Sequence, residues 1–333
     1  MSRRAGGSES TAAATGSPTI PALLDRQLLF VTGKGGVGKT SVAAALADLA
    51  AQSGKSTLVC EMDAKGSLAA AFDLAELRFE PTQVRPGLHA MSMHTEDALR
   101  EYLRLFVRIP FVGRIGPLAR TFDFVADAAP GVKEILAVGK LCYEVRERHY
   151  DLVVVDAEAT GHIVAQIAAP QVIRELVQVG LVRDQTDWML DILNDAVRTG
   201  LVMVTTPEEM PVTETIELLD EVAAKTSVAV AAVIANRVLP RFFGAADEQL
   251  FQALLQDGPQ RVLTDQFGPA VSSLFDAASL SVARQHVGSG HLQRLRGRLP
   301  ADLPFIALPE LFTRASGRRA VALLTEALAD ELL

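Results

Sequence analysis

Apolar residues fall along this chain in two textures. Short, nearly continuous runs rich in Val, Leu and Ile occur at Gln27–Thr32, Thr57–Met62, Leu152–Asp156, Leu201–Thr205, Val228–Asn236 and Phe305–Leu308, with a further candidate at Leu88–His94. Runs of this kind, lacking polar alternation, mark strands buried on both faces. Between them lie longer stretches with apolar residues at helical spacing, beginning with the alanine-rich Thr40–Gln52, so the pattern predicts an α/β protein whose parallel sheet is wrapped by helices. Two of these stretches, about 96–149 and 163–199, are long, carry no strand-like pattern, and read as a helical subdomain inserted on one edge of the sheet. No internal repeat is present, so one domain is expected over 22–333 rather than a fused tandem. Residues 1–21, rich in Ala, Gly, Ser and Thr, lack the apolar core of a secretory signal and read as a flexible tail.

Composition narrows the class. The 333 residues are 49% hydrophobic, 22% charged and 5% aromatic, which suits a globular protein with a sizeable core. A mean hydropathy of +0.23 raises the question of a membrane span. The longest wholly apolar run, Val228–Ala235, falls far short of the ~18 residues a spanning helix needs, so no integral membrane segment is expected. A formal charge of −8 argues against nonspecific binding of nucleic acid or anionic lipid, both of which draw on surplus Lys and Arg. Two cysteines, Cys60 and Cys142, cannot form a disulfide framework or a four-thiolate metal site, and a reducing, cytoplasmic setting is the default.

The chemistry is concentrated in Gly33-Lys34-Gly35-Gly36-Val37-Gly38-Lys39-Thr40, which matches G-x-x-x-x-G-K-[ST] and sits between a buried strand and a helix start. In such a loop the glycines let backbone N–H groups turn toward phosphate oxygens and the helix N-terminus adds positive potential. Lys39 then reaches the β- and γ-phosphates, while Thr40 offers a hydroxyl to Mg²⁺. Lys34 is not required by the general motif. It is either a solvated loop lysine or a residue that reaches a nucleotide held by a neighbouring subunit, which would imply a dimer.

The segment Lys34–Thr40 resembles the deviant Walker A of the class that includes the ParA/MinD proteins, nitrogenase iron protein and the ArsA/GET-type ATPases. Asp156-Ala157-Glu158-Ala159-Thr160-Gly161-His162 resembles the D-T-A-P-T-G-H switch II of the ArsA/GET branch. Ala129-Pro130-Gly131-Val132-Lys133-Glu134 is similar to that family's A-P-G-x-x-E helix start, and Thr206-Pro207-Glu208 through Glu214 to its T-x-P-E-x-x-x-x-x-E segment. Asn236-Arg237 and Leu308-Pro309 complete the order, so the resemblance runs from about Leu28 to Gly317.

The resemblance implies an ATP-hydrolysing P-loop NTPase that works as a dimer, either a homodimer or a heterodimer with a homologous ATPase. The cofactors implied are ATP and Mg²⁺. The nucleotide site would comprise Gly33, Lys34, Gly35, Gly36, Val37, Gly38, Lys39, Thr40 and Ser41, with Asn236 on the adenine edge and Pro309 nearby. Lys34 and Lys39 would act with Asp63, the counterpart of the D-P-A-H aspartate that orients and deprotonates water. Thr40, Asp63 and Asp156 would attend the metal. Each acidic residue also has a plainer reading: Asp63 as a polar strand end, Asp156 as a helix N-cap; Asn236 is likewise compatible with a strand-ending turn.

The chain also departs from the pattern. Asp63-Ala64-Lys65-Gly66-Ser67 stands where the family has D-P-A-H-x, and Glu158 and Ala159 replace alanine and proline, so slow or partner-dependent turnover is expected. Neither cysteine is placed for a cluster, a C-x-x-C zinc pair is absent, and the metalloid cysteines of arsenite pumps are missing. The apolar residues from Leu103 to Val125 read either as a groove for a hydrophobic protein client or as internal packing. A nucleotide-binding scaffold, the less active half of a heterodimer, is the alternative function.

Overall fold

A computed structural model of the chain describes residues 21–63, 65–107, 131–157, 159–177 and 179–332. The expected tail up to Ile20, Ala64, the stretch 108–130 with most of the apolar segment and Ala129-Pro130, and Glu158 lie outside the described residues.

The strand-like runs all form strands of one sheet: β1 (Leu28–Gly33), β2 (Thr57–Glu61), β4 (Leu88–Ser92), β5 (Leu152–Asp156), β6 (Thr199–Thr205), β7 (Val230–Val238) and β8 (Phe305–Pro309). An additional strand, β3 (Thr82–Arg85), gives the order β3-β4-β2-β5-β1-β6-β7-β8. Every pairing is parallel except β3 with β4. From β1 the chain moves outward through β2 to β3 and β4, returns to insert β5 beside β1, and then builds β6, β7 and β8 on the other flank. The carboxyl ends of β1, β5 and β6 therefore flank the point where the winding reverses, the place where open α/β sheets bind ligands.

Helices α1 (Pro21–Leu24), α2 (Lys39–Gln52), α3 (Ser67–Ala71) and α4 (Thr95–Tyr102, continued by a π-helical turn at Leu103–Val107) precede β5. So does α5 (Val132–Arg146); α6 (Thr160–Leu176) and α7 (Leu181–Leu193) lead to β6, and α8 (Glu209–Lys225) to β7. Helices α9 (Ala245–Leu254), α10 (Asp257–Phe267) and α11 (Ala270–Arg296) link β7 to β8, and α12 (Gly317–Leu332) follows β8.

Because successive strand residues point to opposite faces, the buried runs feed two cores. One face contributes Leu29, Val31, Val59, Val154, Val202 and Ile234, packed against α2 and against Val321, Leu324 and Leu328 of α12. Helix α2 is buried from Val42 through Ala51 because it lies between sheet and α12, and its alanines allow that close approach. The other face contributes Leu28, Phe30, Leu58, Cys60, Val153, Val155, Leu201 and Met203. Helices α5, α6, α7 and α8 close it with Leu141, Ile163, Met189 and Val212 among others, so the inner faces of the expected helical subdomain form half of the core.

Candidate functional site

Gly33 ends β1 beside β6 so tightly that a Cβ there would lie 2.1 Å from the Val204 carbonyl oxygen, which only glycine tolerates. The chain then turns through Lys34–Gly38 into α2. Gly38, at φ +91°, is its N-cap residue, and a Cβ there would lie 2.4 Å from Asn236 Nδ2. That amide donates to the Val37 carbonyl at 2.9 Å, so Asn236, buried on β7, ties the far flank of the sheet to the loop. Val37 is buried beneath the loop, Gly35 and Gly36 are exposed, and Ser41 follows Thr40 within the first turn of α2.

Lys39 opens α2 and its Nζ donates to the Lys34 carbonyl oxygen at 3.2 Å. Desolvation lowers its pKa, and the nearby charge of Lys65 lowers it further, against the pull of Asp156 and Asp63. One residue on, Thr40 Oγ1 donates to Asp156 Oδ2 at 2.6 Å. Asp156 is 6% exposed, and its other oxygen, Oδ1, is buried with no hydrogen-bond partner among the described residues. Burial pushes its carboxyl up to about 6; the Thr40 hydrogen bond and Lys39 charge oppose that, while Glu61 and Asp63 add to it. Asp156 is thus held by Thr40, at a strand end, rather than capping α6, whose N-cap is Ala159. A hydroxyl and a half-satisfied carboxylate, side by side and shielded from bulk water, are the oxygen donors that Mg²⁺ takes alongside its own waters. The residues present fit that ion.

Asp63 follows β2 and its Oδ2 is ion-paired with Lys65 Nζ on the same loop; both side chains are substantially exposed. Lys34 Nζ stands 2.5 Å from Glu214 Oε1 on α8. Pro309, at the end of β8, is in register with Val238. Beyond these two strand ends opens a cavity of about 610 Å³ lined by Pro207, Glu208, Arg237, Arg284, His291 and Glu310. Asn236 lies one residue from that lining, with its amide committed to the loop.

Glu61 is the buried charged side chain beside the site that motif reading passed over. It is 3% exposed, directly opposite Asp156 in the β2–β5 register, and accepts the backbone N–H groups of Gly66, Ser67 and Leu68. The signal was a charged residue inside an otherwise apolar run, which a strand buried on both faces does not carry without partners.

A parallel sheet with a glycine-rich strand-to-helix loop at its switch point, facing a Thr–Asp pair, has the architecture of the P-loop NTPases. The chain belongs to the anion-transporting ATPase family, the ArsA/GET-type ATPases, whose sequence profile matches residues 26–186 and 179–256. ATPase BagA of Mycobacterium tuberculosis is 32% identical over 225 residues, 64% of this chain and 66% of that protein, just under two thirds of the relative's length. An ATPase ASNA1 homolog of Paramecium tetraurelia is 30% identical over 47% of this chain and 49% of its own. One from Plasmodium vivax is 21% identical over 91% of this chain and 88% of its own.

Proposed function

We propose that this chain is an ATP-binding and ATP-hydrolysing switch that works as a dimer and couples its nucleotide state to the handling of a protein client or partner. The observation that carries the reading is the Thr40–Asp156 pair, whose buried Oδ1 has no partner among the described residues, set beside a lysine whose amine donates to a loop carbonyl. In this reading the loop N–H groups and Lys39 bind the phosphates, and Thr40 and Asp156 hold Mg²⁺. When bound, the ion supplies positive charge to the β- and γ-phosphate oxygens. Asp63, released from Lys65, orients the attacking water and takes its proton, and Lys34 leaves Glu214 to meet the nucleotide of a neighbouring subunit. The cavity at the ends of β7 and β8 accepts base and ribose, near Asn236 and Pro309.

Two further features support parts of this reading. Burial pushes both thiols up, Cys142 to about 12, which disfavours the thiolates that metalloid capture needs and suits a protein kept in the cytoplasm with unpaired cysteines. An apolar cavity of about 410 Å³ among Leu99, Tyr102, Ile135, Leu136, Ile173 and Met189 suits a hydrophobic client helix. The alternative, a scaffold that binds ATP and rarely hydrolyses it, draws on the ion pairs that occupy Asp63 and Lys34 within the chain.

Thermal unfolding with and without Mg²⁺-ATP is the first test. ATP is expected to raise the midpoint of the unsubstituted protein and to leave Lys39→Ala unmoved. An equal shift in both ends the assignment, and a shift without phosphate release leaves the scaffold.

A further inference from the structure

The loop that carries Asp63 is stapled to the sheet by a side chain as well as by its own backbone. Glu61, the last residue of β2, sends its carboxylate forward over the loop. Its Oε1 accepts Ser67 N–H at 2.8 Å and Leu68 N–H at 3.3 Å, and its Oε2 accepts Gly66 N–H at 3.3 Å. Ser67 and Leu68 are the first two residues of α3, whose N–H groups have no acceptor within the helix, and Gly66 (φ +76°) makes no capping bond of its own. A carboxylate this buried would be costly alone, and three hydrogen bonds to an ionised group satisfy it. Its backbone is anchored as well: Met93 N–H donates to the Glu61 carbonyl at 2.8 Å, and Met62 N–H to the Asp156 carbonyl at 3.1 Å. The result is a clamp that ties Gly66–Leu68 to the end of β2, two residues before Asp63, on the strand beside the one that bears Asp156.

We propose that Glu61 is a positioning residue for hydrolysis: by clamping Gly66–Leu68 to the end of β2 it fixes the direction from which Asp63 meets the γ-phosphate. This rests on the ATPase reading above. Among the described residues the Glu61 carboxylate hydrogen-bonds to the loop and not to Lys39, Thr40 or Asp156, and it reaches Asp156 only through charge, so its contribution is expected to fall on turnover far more than on nucleotide affinity.

The experiment compares Glu61→Ala and Glu61→Gln with the unsubstituted chain, with kcat normalised to ATP sites counted by direct titration so that unfolded protein does not register as lost turnover. Loss of the clamp is expected to lower kcat per site about tenfold or more in Glu61→Ala, with ATP Kd and KM within about twofold. Glu61→Gln keeps an oxygen where Oε1 stands and is expected to restore kcat to within about threefold. Glu61→Ala with normal kcat, or with kcat and affinity falling together, overturns the inference alone. Unsubstituted protein that binds ATP and releases no phosphate overturns it together with the ATPase reading. Amide hydrogen exchange on the unsubstituted chain needs no variant to fold: relative to their intrinsic rates, Ser67 and Leu68 are expected to exchange more slowly than the exposed Gly35, and equal protection overturns the clamp.

Discussion

Asp156 makes the site sensitive to acid in a definite direction. Its carboxyl is pushed above the ordinary range to about 6, chiefly by burial, so the folded chain favours the protonated form. The stability this gives is fully present below the ordinary carboxylate pKa and is lost as pH rises through about 6. Metal binding at the proposed site would run the other way, because Mg²⁺ takes the carboxylate. Affinity of the nucleotide complex for Mg²⁺, corrected for the nucleotide's own titration, is therefore expected to fall below pH 6 and to approach a tenfold loss per pH unit. Calorimetric titrations across that range check it, and a flat profile would remove Asp156 from the metal site. At this scale the motif residues were legible because Lys39 and Thr40 are fixed by spacing within one loop. Their partners were not: Thr40 meets Asp156 across 116 positions and Lys34 meets Glu214 across 180, and nothing local encodes such pairings.

Between elements, the glycine-rich loop is held from two sides, by Asn236 of β7 and by Glu214 of α8. The second contact competes with any role of Lys34 toward another subunit. A partly exposed ion pair of this kind contributes roughly 0.2–1 kcal/mol, so Glu214→Gln is expected to strengthen ATP-dependent association by about 1.4- to fivefold. Sedimentation with a non-hydrolysable ATP analogue measures it, and weaker association in that variant would give Glu214 a different part. The central strands and α2 were readable because burial on both faces leaves an unbroken apolar run. Strand β3 was missed because Thr82-Gln83-Val84-Arg85 lies on the sheet's edge, half exposed, and its polar residues answer to solvent. Helix was expected between β7 and β8, but its division into α9, α10 and α11 was not legible: α10 has no buried residue, so no apolar face marked its bounds.

For the whole molecule, the decisive experiment is complementation. Lys34→Ala chains mixed with Asp63→Asn chains are expected to recover part of the turnover that each lacks, because one composite site in the mixed dimer keeps Asp63 and receives an intact Lys34. Asp63→Asn alone is expected to lose ~10²–10⁴ in rate while still binding ATP. A verified mixed dimer without recovery would make Lys34 a ligand of its own chain's phosphates.

Helix α12 covers the back of α2, where Thr325 donates to the Asp48 carboxylate at 3.2 Å and contacts the Ala45 carbonyl 280 residues away. At ~5–20 residues per second of synthesis, α2 leaves the ribosome roughly 15–60 s before the helix that covers it exists. During that interval the alanine face behind the glycine-rich loop is bare, so a nascent chain holds the complete motif well before it holds the packing that backs it, and any capture of a ligand there during translation is expected to wait on α12.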